Sequence, residues 1–209
     1  MSPVELLAVV FSLASVVLAA RRHVGTWPAG IVGVAAYFVV FIGAKLYADA
    51  ALQVVFLLQC AYGWVHWTRR PVPKAGELPT GTSPIVTLDA RQRLLVALAV
   101  GGGAAVVGSG LARFTDAASP YLDATVAVMS LAANWLLARR VLENWALWVA
   151  ADVLYVALFA SKGLLLSAGL YALFMLLAAA GWRAWWRSLR ARGSEPGAEC
   201  APRPTGAAA

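Results

Sequence analysis

The chain has 209 residues, 61% of them hydrophobic and 13% charged, and its mean hydropathy is +0.73. A soluble domain is typically about half apolar and about a quarter charged, so this composition argues against a soluble protein. The formal net charge of +7 does not require a nucleic-acid partner, because basic residues beside apolar segments are typical of membrane proteins.

Seven apolar runs follow one another along the chain. A helix needs about 20 residues to cross about 30 Å of hydrocarbon, and these runs approach that length. The first is not expected to be a secretory signal peptide, because no basic segment precedes it and Glu5 stands near its start. The predicted transmembrane spans are Val4 to Ala20, Gly30 to Leu46, Ala48 to Trp67, Leu94 to Leu111, Ser119 to Ala138, Ala146 to Ala160 and Leu164 to Trp186.

Two segments outside the spans are expected to be flexible. The first, from Pro71 to Pro84, is rich in Pro, Gly, Ser and Thr, and the tail from Gly193 onward is rich in Gly, Ala and Pro. Such compositions are typical of solvent-exposed connections. Cys60 and Cys200 offer neither metal-ligand spacing nor a plausible disulfide, so we expect no metal and no cofactor.

The basic residues predict the orientation. All but three of the 17 lie in the connections between spans 1 and 2, 3 and 4, and 5 and 6, or at the C-terminal end; the exceptions are Lys45, Arg113 and Lys162. Because Lys and Arg are retained in the cytoplasm during insertion, the N-terminus is expected outside and the C-terminus inside. The predicted location is a bacterial inner membrane, and the lipid bilayer rather than nucleic acid is the expected partner of the basic residues.

The sequence matches itself at an offset of 118 residues. The offset aligns Arg21-Arg22 with Arg139-Arg140 and, without a gap, the Gly-Trp-x-x-Trp pattern of residues 63–67 with that of residues 181–185. Three spans therefore repeat, with the fourth between the copies. An odd linker span inserts both copies the same way up, and parallel repeats of this kind are typical of transporters whose site lies between the halves.

The predicted fold is an all-α membrane protein with seven transmembrane helices, arranged as two parallel three-helix repeats joined by a linker helix. This 3+1+3 arrangement is similar to that of SWEET sugar transporters. The predicted regions are a first repeat at 1–68, a cytoplasmic loop at 69–93, a linker helix at 94–118, a second repeat at 119–188 and a cytoplasmic tail at 189–209.

The sixth span carries the most informative residues. Trp145, Trp148, Asp152 and Tyr155 recur at helical spacing and share one face. Asp152 is the only acid placed deep in a span, where a charge costs about 2.5 to 3.5 kcal/mol. It is either the counter-ion of a cationic ligand, or it pairs with a donor such as Asn134 or stays protonated. The tryptophans, most of which lie near span ends, are equally typical of interfacial anchors.

Amide and aromatic side chains on other spans are further candidates. Gln59, Tyr62 and His66 share a face of the third span. Gln59 and Asn134 either contact a ligand or hydrogen-bond a neighbouring helix, whereas a structural role is favoured for Gln53 and His66. No P-loop, HExxH, GxSxG or CxxC motif is present, so neither an enzyme nor an ATP-driven pump is expected.

The WxxWxxxD pattern of residues 145–152, the KGL and LY elements that follow it and the segment QCAYGWVHW in the third span are family-specific. They resemble the PnuC family of bacterial vitamin transporters, which includes nicotinamide riboside and thiamine transporters. The resemblance implies facilitated diffusion, with trapping of the substrate by phosphorylation, and a homotrimer. It also implies a binding site formed by Trp145, Trp148 and Asp152 with Gln59, Tyr62 and Asn134, although Gln is common in the family at the position of Asn134.

The predicted function is uptake of a cationic aromatic vitamin or precursor, most simply nicotinamide riboside, by alternating access. The substrate-binding residues are expected to be Trp145, Trp148, Asp152, Tyr155, Asn134, Gln59 and Tyr62. Thiamine is the alternative substrate within the family. A sugar transporter and a non-transporting membrane scaffold are alternatives from other classes, but a scaffold leaves Asp152 on an aromatic face unexplained.

Overall fold

The computed structural model describes residues 2–69, 85–116, 119–161 and 163–193. This part of the chain is all-helical apart from one isolated β-bridge, so the predicted all-α fold with seven helices is confirmed. The predicted connection at 71–84 and most of the tail lie outside the described residues. The helices are α1 (Pro3–Ala20), α2 (Thr26–Gly43), α3 (Tyr47–Arg69), α4 (Ala90–Phe114), α5 (Pro120–Ala138), α6 (Asn144–Ser161) and α7 (Leu165–Gly193).

Six of these helices are long and apolar enough to cross a bilayer. The exception, α3, has 23 residues and is long enough, but Asp49, Gln53, Gln59 and His66 lower its hydropathy. It packs against α2 and α5. The polar residues of α3 can therefore be satisfied by neighbouring helices instead of facing lipid.

Two helices begin with a capping box, in which a side chain and a backbone N–H pair reciprocally. At the start of α1, Glu5 N–H donates to Ser2 Oγ (3.2 Å) while Ser2 N–H donates to Glu5 Oε2 (2.7 Å). Asp89 and Gln92 repeat this arrangement at the start of α4. These bonds satisfy backbone donors that a helix start otherwise leaves unpaired.

Four helices end in the same type of turn, and the four turns form two pairs whose members are 118 residues apart. Arg22 and Arg140 have φ of 57° and 56°, and Lys45 and Gly163 have φ of 59° and 71°. At each, the following N–H reaches back five residues, as from His23 to the Leu18 carbonyl at 2.9 Å. This is the Schellman motif, in which a left-handed residue ends the helix.

The helix contacts agree with a duplicated three-helix unit. In each copy the helices pack in sequence, α1 on α2 on α3 and α5 on α6 on α7. Between the copies, α3 contacts α5 and α7 contacts α1, which are equivalent pairs under the offset. The linker α4 packs on α5. The 3+1+3 arrangement is compatible with these contacts.

Four buried tryptophans join the two copies at one end of the bundle, which we call the indole end. Trp27 meets Trp67 edge-on with ring centroids 5.3 Å apart, and Trp145 meets Trp185 in the same way at 5.6 Å. The Trp67 indole donates to the Ala138 carbonyl (3.0 Å), and that of Trp185 donates to the Ala19 carbonyl (3.2 Å). Both hydrogen bonds cross from one copy to the other.

These four side chains correct the interpretation of the tryptophans as interfacial anchors. Each is at most 2% exposed, and together they form part of the hydrophobic core. They fit because glycines face them: a Cβ on Gly181 would lie 2.6 Å from the Trp145 ring. Trp64 and Trp186, at 42% and 41% exposed, are accessible as anchors would be.

The segment before α4 is hydrogen-bonded to the α5–α6 connection at the indole end. Val86 pairs with the α5–α6 connection, accepting from Leu142 N–H at 2.8 Å and donating to the Arg140 carbonyl at 3.0 Å. Glu143 forms an ion pair with Arg93 at 2.9 Å. The linker helix is therefore tied to the second copy at its first turn. We call the opposite end, with the α2–α3, α4–α5 and α6–α7 connections, the acidic end.

Candidate functional site

A cavity of about 310 Å³ lies between the two copies of the three-helix unit. Ligand pockets are typically about 300 to 1,000 Å³. At one end the cavity is bounded by residues of the hydrophobic core at the indole end. At the other end it extends to Asp49 at the acidic end. It is lined by Ser12, Ser15, Val16, Ala19, Gly30, Val34, Tyr37, Phe41, Asp49, Leu52, Gln53, Phe56, Cys60, Ala127, Ser130, Asn134, Leu137, Trp145, Trp148, Ala151, Asp152, Tyr155, Tyr171, Phe174 and Ala178.

Equivalent positions of the two copies face each other across this cavity. The offset of 118 relates Ser12 to Ser130 and Tyr37 to Tyr155, and all four line it. The cavity therefore lies where a pseudo-twofold axis between the copies would pass, as expected for a transporter built from repeats.

The two halves of the cavity differ at six pairs of equivalent lining positions, three of which set the second copy apart near Asp152. The second copy has Asn134, Trp148 and Asp152 where the first copy has Val16, Gly30 and Val34, and all six residues line the cavity. At these three positions the polar and large aromatic groups come from the second copy, while the first copy contributes its polar lining groups elsewhere, among them Asp49 and Gln53. A ligand would be oriented by this asymmetry, because at these positions the second copy offers an amide, an indole and a carboxylate and the first copy offers only packing.

Asp152 is the central charged group of the cavity. It is 5% exposed, and among the described residues its carboxylate meets neither a hydrogen-bond donor nor a cation. The alternative that it pairs with Asn134 is not observed, because the Asn134 amide donates elsewhere. A buried carboxylate without a partner is costly, so a water, a proton or a cationic ligand must complete its environment.

Aromatic rings surround this carboxylate. Trp148 and Tyr155 line the cavity with it, and the Tyr155 ring lies 4.3 Å from that of Tyr171 on α7, between centroids. Trp145 is 1% exposed, and its indole N–H has no partner within the described part of the chain. The site therefore combines a carboxylate, stacking surfaces and one unused buried donor.

Asn134 is held in place by Gln59. The Asn134 amide donates to Gln59 Oε1 at 3.0 Å, and Gln59 Nε2 donates to the Leu131 carbonyl at 3.2 Å. Asn134 is 7% exposed and lines the cavity, whereas Gln59 does not. The interhelical role considered for Gln59 is therefore observed, and through this bond Gln59 fixes the orientation of Asn134.

Tyr62 lies outside the cavity. Its ring stacks on Trp135 at 5.0 Å and on His66 at 5.7 Å, and the residue is 38% exposed. The face of α3 that lines the cavity carries Asp49, Gln53, Phe56 and Cys60 instead. Their spacing of four, three and four residues is helical, so periodicity could have found them, but it fits the face of Gln59 and Tyr62 equally well.

Cysteine substitution tests which face of α3 meets the cavity. In a background of Cys60→Ser and Cys200→Ser, we expect Gln53→Cys to react with a small cationic methanethiosulfonate reagent much faster than Gln59→Cys. Both glutamines are partly buried, so they form a matched pair, and thiol reactivity follows access to water. Labelling is read by mass spectrometry. Faster labelling at position 59 would contradict the assigned face.

Comparisons with known proteins identify the family of this chain. A family model described as nicotinamide mononucleotide transporter matches residues 2–187. The nicotinamide riboside transporter PnuC of Escherichia coli is 28% identical, with 93% of this chain and 89% of the relative covered. The riboflavin/roseoflavin transporter RibM of Streptomyces davaonensis is 30% identical, with 92% and 88% covered.

A solved structure shares the fold. The crystal structure of the vitamin B3 transporter PnuC superimposes with a TM-score of 0.73 at 23% identity, covering 90% of this chain and 82% of the other. The curated relatives are transporters rather than enzymes, and the chain is a multi-pass membrane protein. Because the family model spans most of its length, this chain belongs to the nicotinamide mononucleotide transporter family.

Proposed function

We propose that this chain takes up nicotinamide riboside by facilitated diffusion with alternating access. The observation that carries the proposal is the unpartnered, 5% exposed Asp152 in an aromatic cavity between the repeats. Nicotinamide riboside has a flat pyridinium ring with a positive charge. Such a ring satisfies Asp152 and stacks on its aromatic neighbours at once.

Different cavity residues contact different parts of this ligand in the proposed complex. Asp152 supplies the counter-charge, and Trp148 and Tyr155 supply stacking surfaces worth about 0.5 to 2 kcal/mol per cation–π contact. We propose that the Trp145 indole N–H, which is unpaired among the described residues, and the Asn134 amide, held by Gln59, bond the carboxamide or ribose. Gln59 therefore contributes by positioning Asn134, and no ligand contact is proposed for Tyr62.

The way in which each end of the cavity is closed supports alternating access. At the indole end the floor is sealed by the buried tryptophans, and two indole hydrogen bonds link the copies. At the acidic end the cavity reaches the exposed Asp49. Release at the indole end requires the two bonds to break as the repeats rock apart. With the basic connections inside, this order corresponds to uptake.

The orientation and assembly belong to the same proposal. We place the N-terminus outside and the C-terminus in the cytoplasm, and we propose a homotrimer. A reporter fused to the C-terminus that is active only in the cytoplasm tests the first assignment. Native mass spectrometry of the purified protein tests the second, and a monomer would contradict it.

Thiamine and riboflavin are the competing vitamins. Thiamine also carries a cationic aromatic ring and would use Asp152 in the same way. Riboflavin is favoured by the 30% identity to RibM, but it is neutral and would leave Asp152 without a counter-ion. A membrane scaffold would show no saturable binding, and a sugar transporter would be inhibited by sugars.

The proposed site predicts the effect of two substitutions. Asp152→Ala and Trp148→Ala are each expected to lower uptake of labelled nicotinamide riboside by at least about tenfold, because each removes a contact to the charged ring. Trp64→Ala is the matched control, since Trp64 is 42% exposed and lies outside the cavity. Membrane levels are compared by immunoblot. Wild-type uptake by both site variants would remove the proposed site.

Facilitated diffusion predicts the final concentration inside vesicles. Proteoliposomes holding the purified protein and no kinase should fill with nicotinamide riboside only to the external concentration. Adding a phosphorylating enzyme and ATP inside should then drive accumulation by trapping the product. Accumulation above equilibrium without the kinase, abolished by an uncoupler, would replace this mode with proton coupling.

A further inference from the structure

A second carboxylate lines the cavity, at its other end. Asp49 lies in the first turn of α3 and is exposed at the acidic end. Gln53, one helical turn further along α3, and Phe56 continue the same cavity-lining face toward the core. The route from solvent at Asp49 into the cavity therefore runs along one face of this helix.

The charges around Asp49 are acidic. Asp123, in the first turn of α5, lies near enough for its charge to repel that of Asp49. Tyr155 on α6 lies within the fields of Asp49, Asp123 and Asp152 together. Asp49 and Asp152 line the cavity and Asp123 lies outside its lining, and the negative charges of all three attract cations.

Among the described residues, no basic side chain forms an ion pair with Asp49. The ion pair of the described residues joins Arg93 and Glu143 at the indole end. Lys45 and Arg113 are exposed at the acidic end and form no ion pair with Asp49. Deeper in the same cavity, Asp152 is 5% exposed and equally unpartnered. The cavity therefore offers two unpaired carboxylates in sequence, one at its solvent end and one at depth.

We propose that Asp49 is a specificity-determining residue that captures the cationic substrate at the acidic end before it reaches Asp152. This inference rests on the proposed function, in which the substrate carries a positive charge. The field of Asp49 and Asp123 raises the local concentration of cations at the opening, and a cation there also relieves their mutual repulsion. Neutral molecules gain nothing from this field.

A role in helix stability is the competing explanation. An acid in the first turn of a helix interacts favourably with the helix dipole, which would account for Asp49 without any ligand. The two roles differ in what they affect. A loss of helix stability lowers the amount of folded protein and therefore the maximal rate of uptake, whereas a loss of capture raises the half-maximal substrate concentration, and it does so less at high salt.

Uptake kinetics in proteoliposomes distinguish them. At low ionic strength, Asp49→Asn is expected to raise the nicotinamide riboside concentration for half-maximal uptake by about tenfold, with the maximal rate nearly unchanged. At high salt the difference between variant and wild type should shrink, because the field is screened. Asp49→Glu, which keeps the charge, should restore the wild-type value.

Asp116→Asn is the matched control. Asp116 is exposed at the same end and loses the same charge, but it does not line the cavity. Its half-maximal concentration should change by less than about twofold. Asp123→Asn should fall between the two, since Asp123 acts on the opening only through space.

The outcomes separate this inference from the proposed function. If uptake depends on Asp152 but Asp49→Asn matches wild type at low salt, capture by Asp49 is wrong and the binding site stands. If uptake does not depend on Asp152, the proposed function itself is wrong, whatever the effect of Asp49→Asn. If the Asp49→Asn variant does not reach the membrane, the wild-type protein still tests the proposal. An apparent affinity for nicotinamide riboside that does not change with salt concentration would overturn it.

Discussion

The carboxylate of Asp152 is the constraint on which the site depends. A charge at this depth costs about 2.5 to 3.5 kcal/mol on insertion scales, and no described residue pairs with it. The chain therefore keeps a cavity in which water, a proton or a cation can meet it. The surrounding rings lower the polarity of that cavity, which strengthens its attraction for a cation, whereas a neutral sugar would leave the carboxylate without a counter-charge.

Duplication explains how such a cavity persists in a small bundle. Each copy contributes the same turns, the same edge-on tryptophan pair and an indole bond to the other copy. Packing at the indole end can then hold both copies while their other ends stay apart. Because the copies carry different residues at six pairs of equivalent lining positions, the symmetric frame holds an asymmetric site. The frame is suited to rocking, and the asymmetry is suited to recognising one face of a ligand.

Sequence periodicity predicted the helices and the face of α6 but not the face of α3. On α6, Trp148, Asp152 and Tyr155 are the only large polar or aromatic set at helical spacing, and all three line the cavity. On α3 two faces carry polar groups, and the choice depends on which amide meets a neighbour. The bond from Asn134 to Gln59 joins residues 75 positions apart, and no local pattern specifies it. The burial of four tryptophans could not be predicted for a similar reason, since burial near a helix end depends on the glycines of another helix.

Thermal unfolding of the detergent-purified protein tests most directly whether Asp152 requires a cationic ligand. A ligand that binds only the folded state raises the melting temperature, by an amount that grows with its concentration relative to Kd. Nicotinamide riboside is expected to stabilise the wild type more than thiamine, riboflavin or simple sugars, and to lose this effect in Asp152→Asn. Equal stabilisation of wild type and variant, or stabilisation by sugars alone, would contradict a cation site at Asp152.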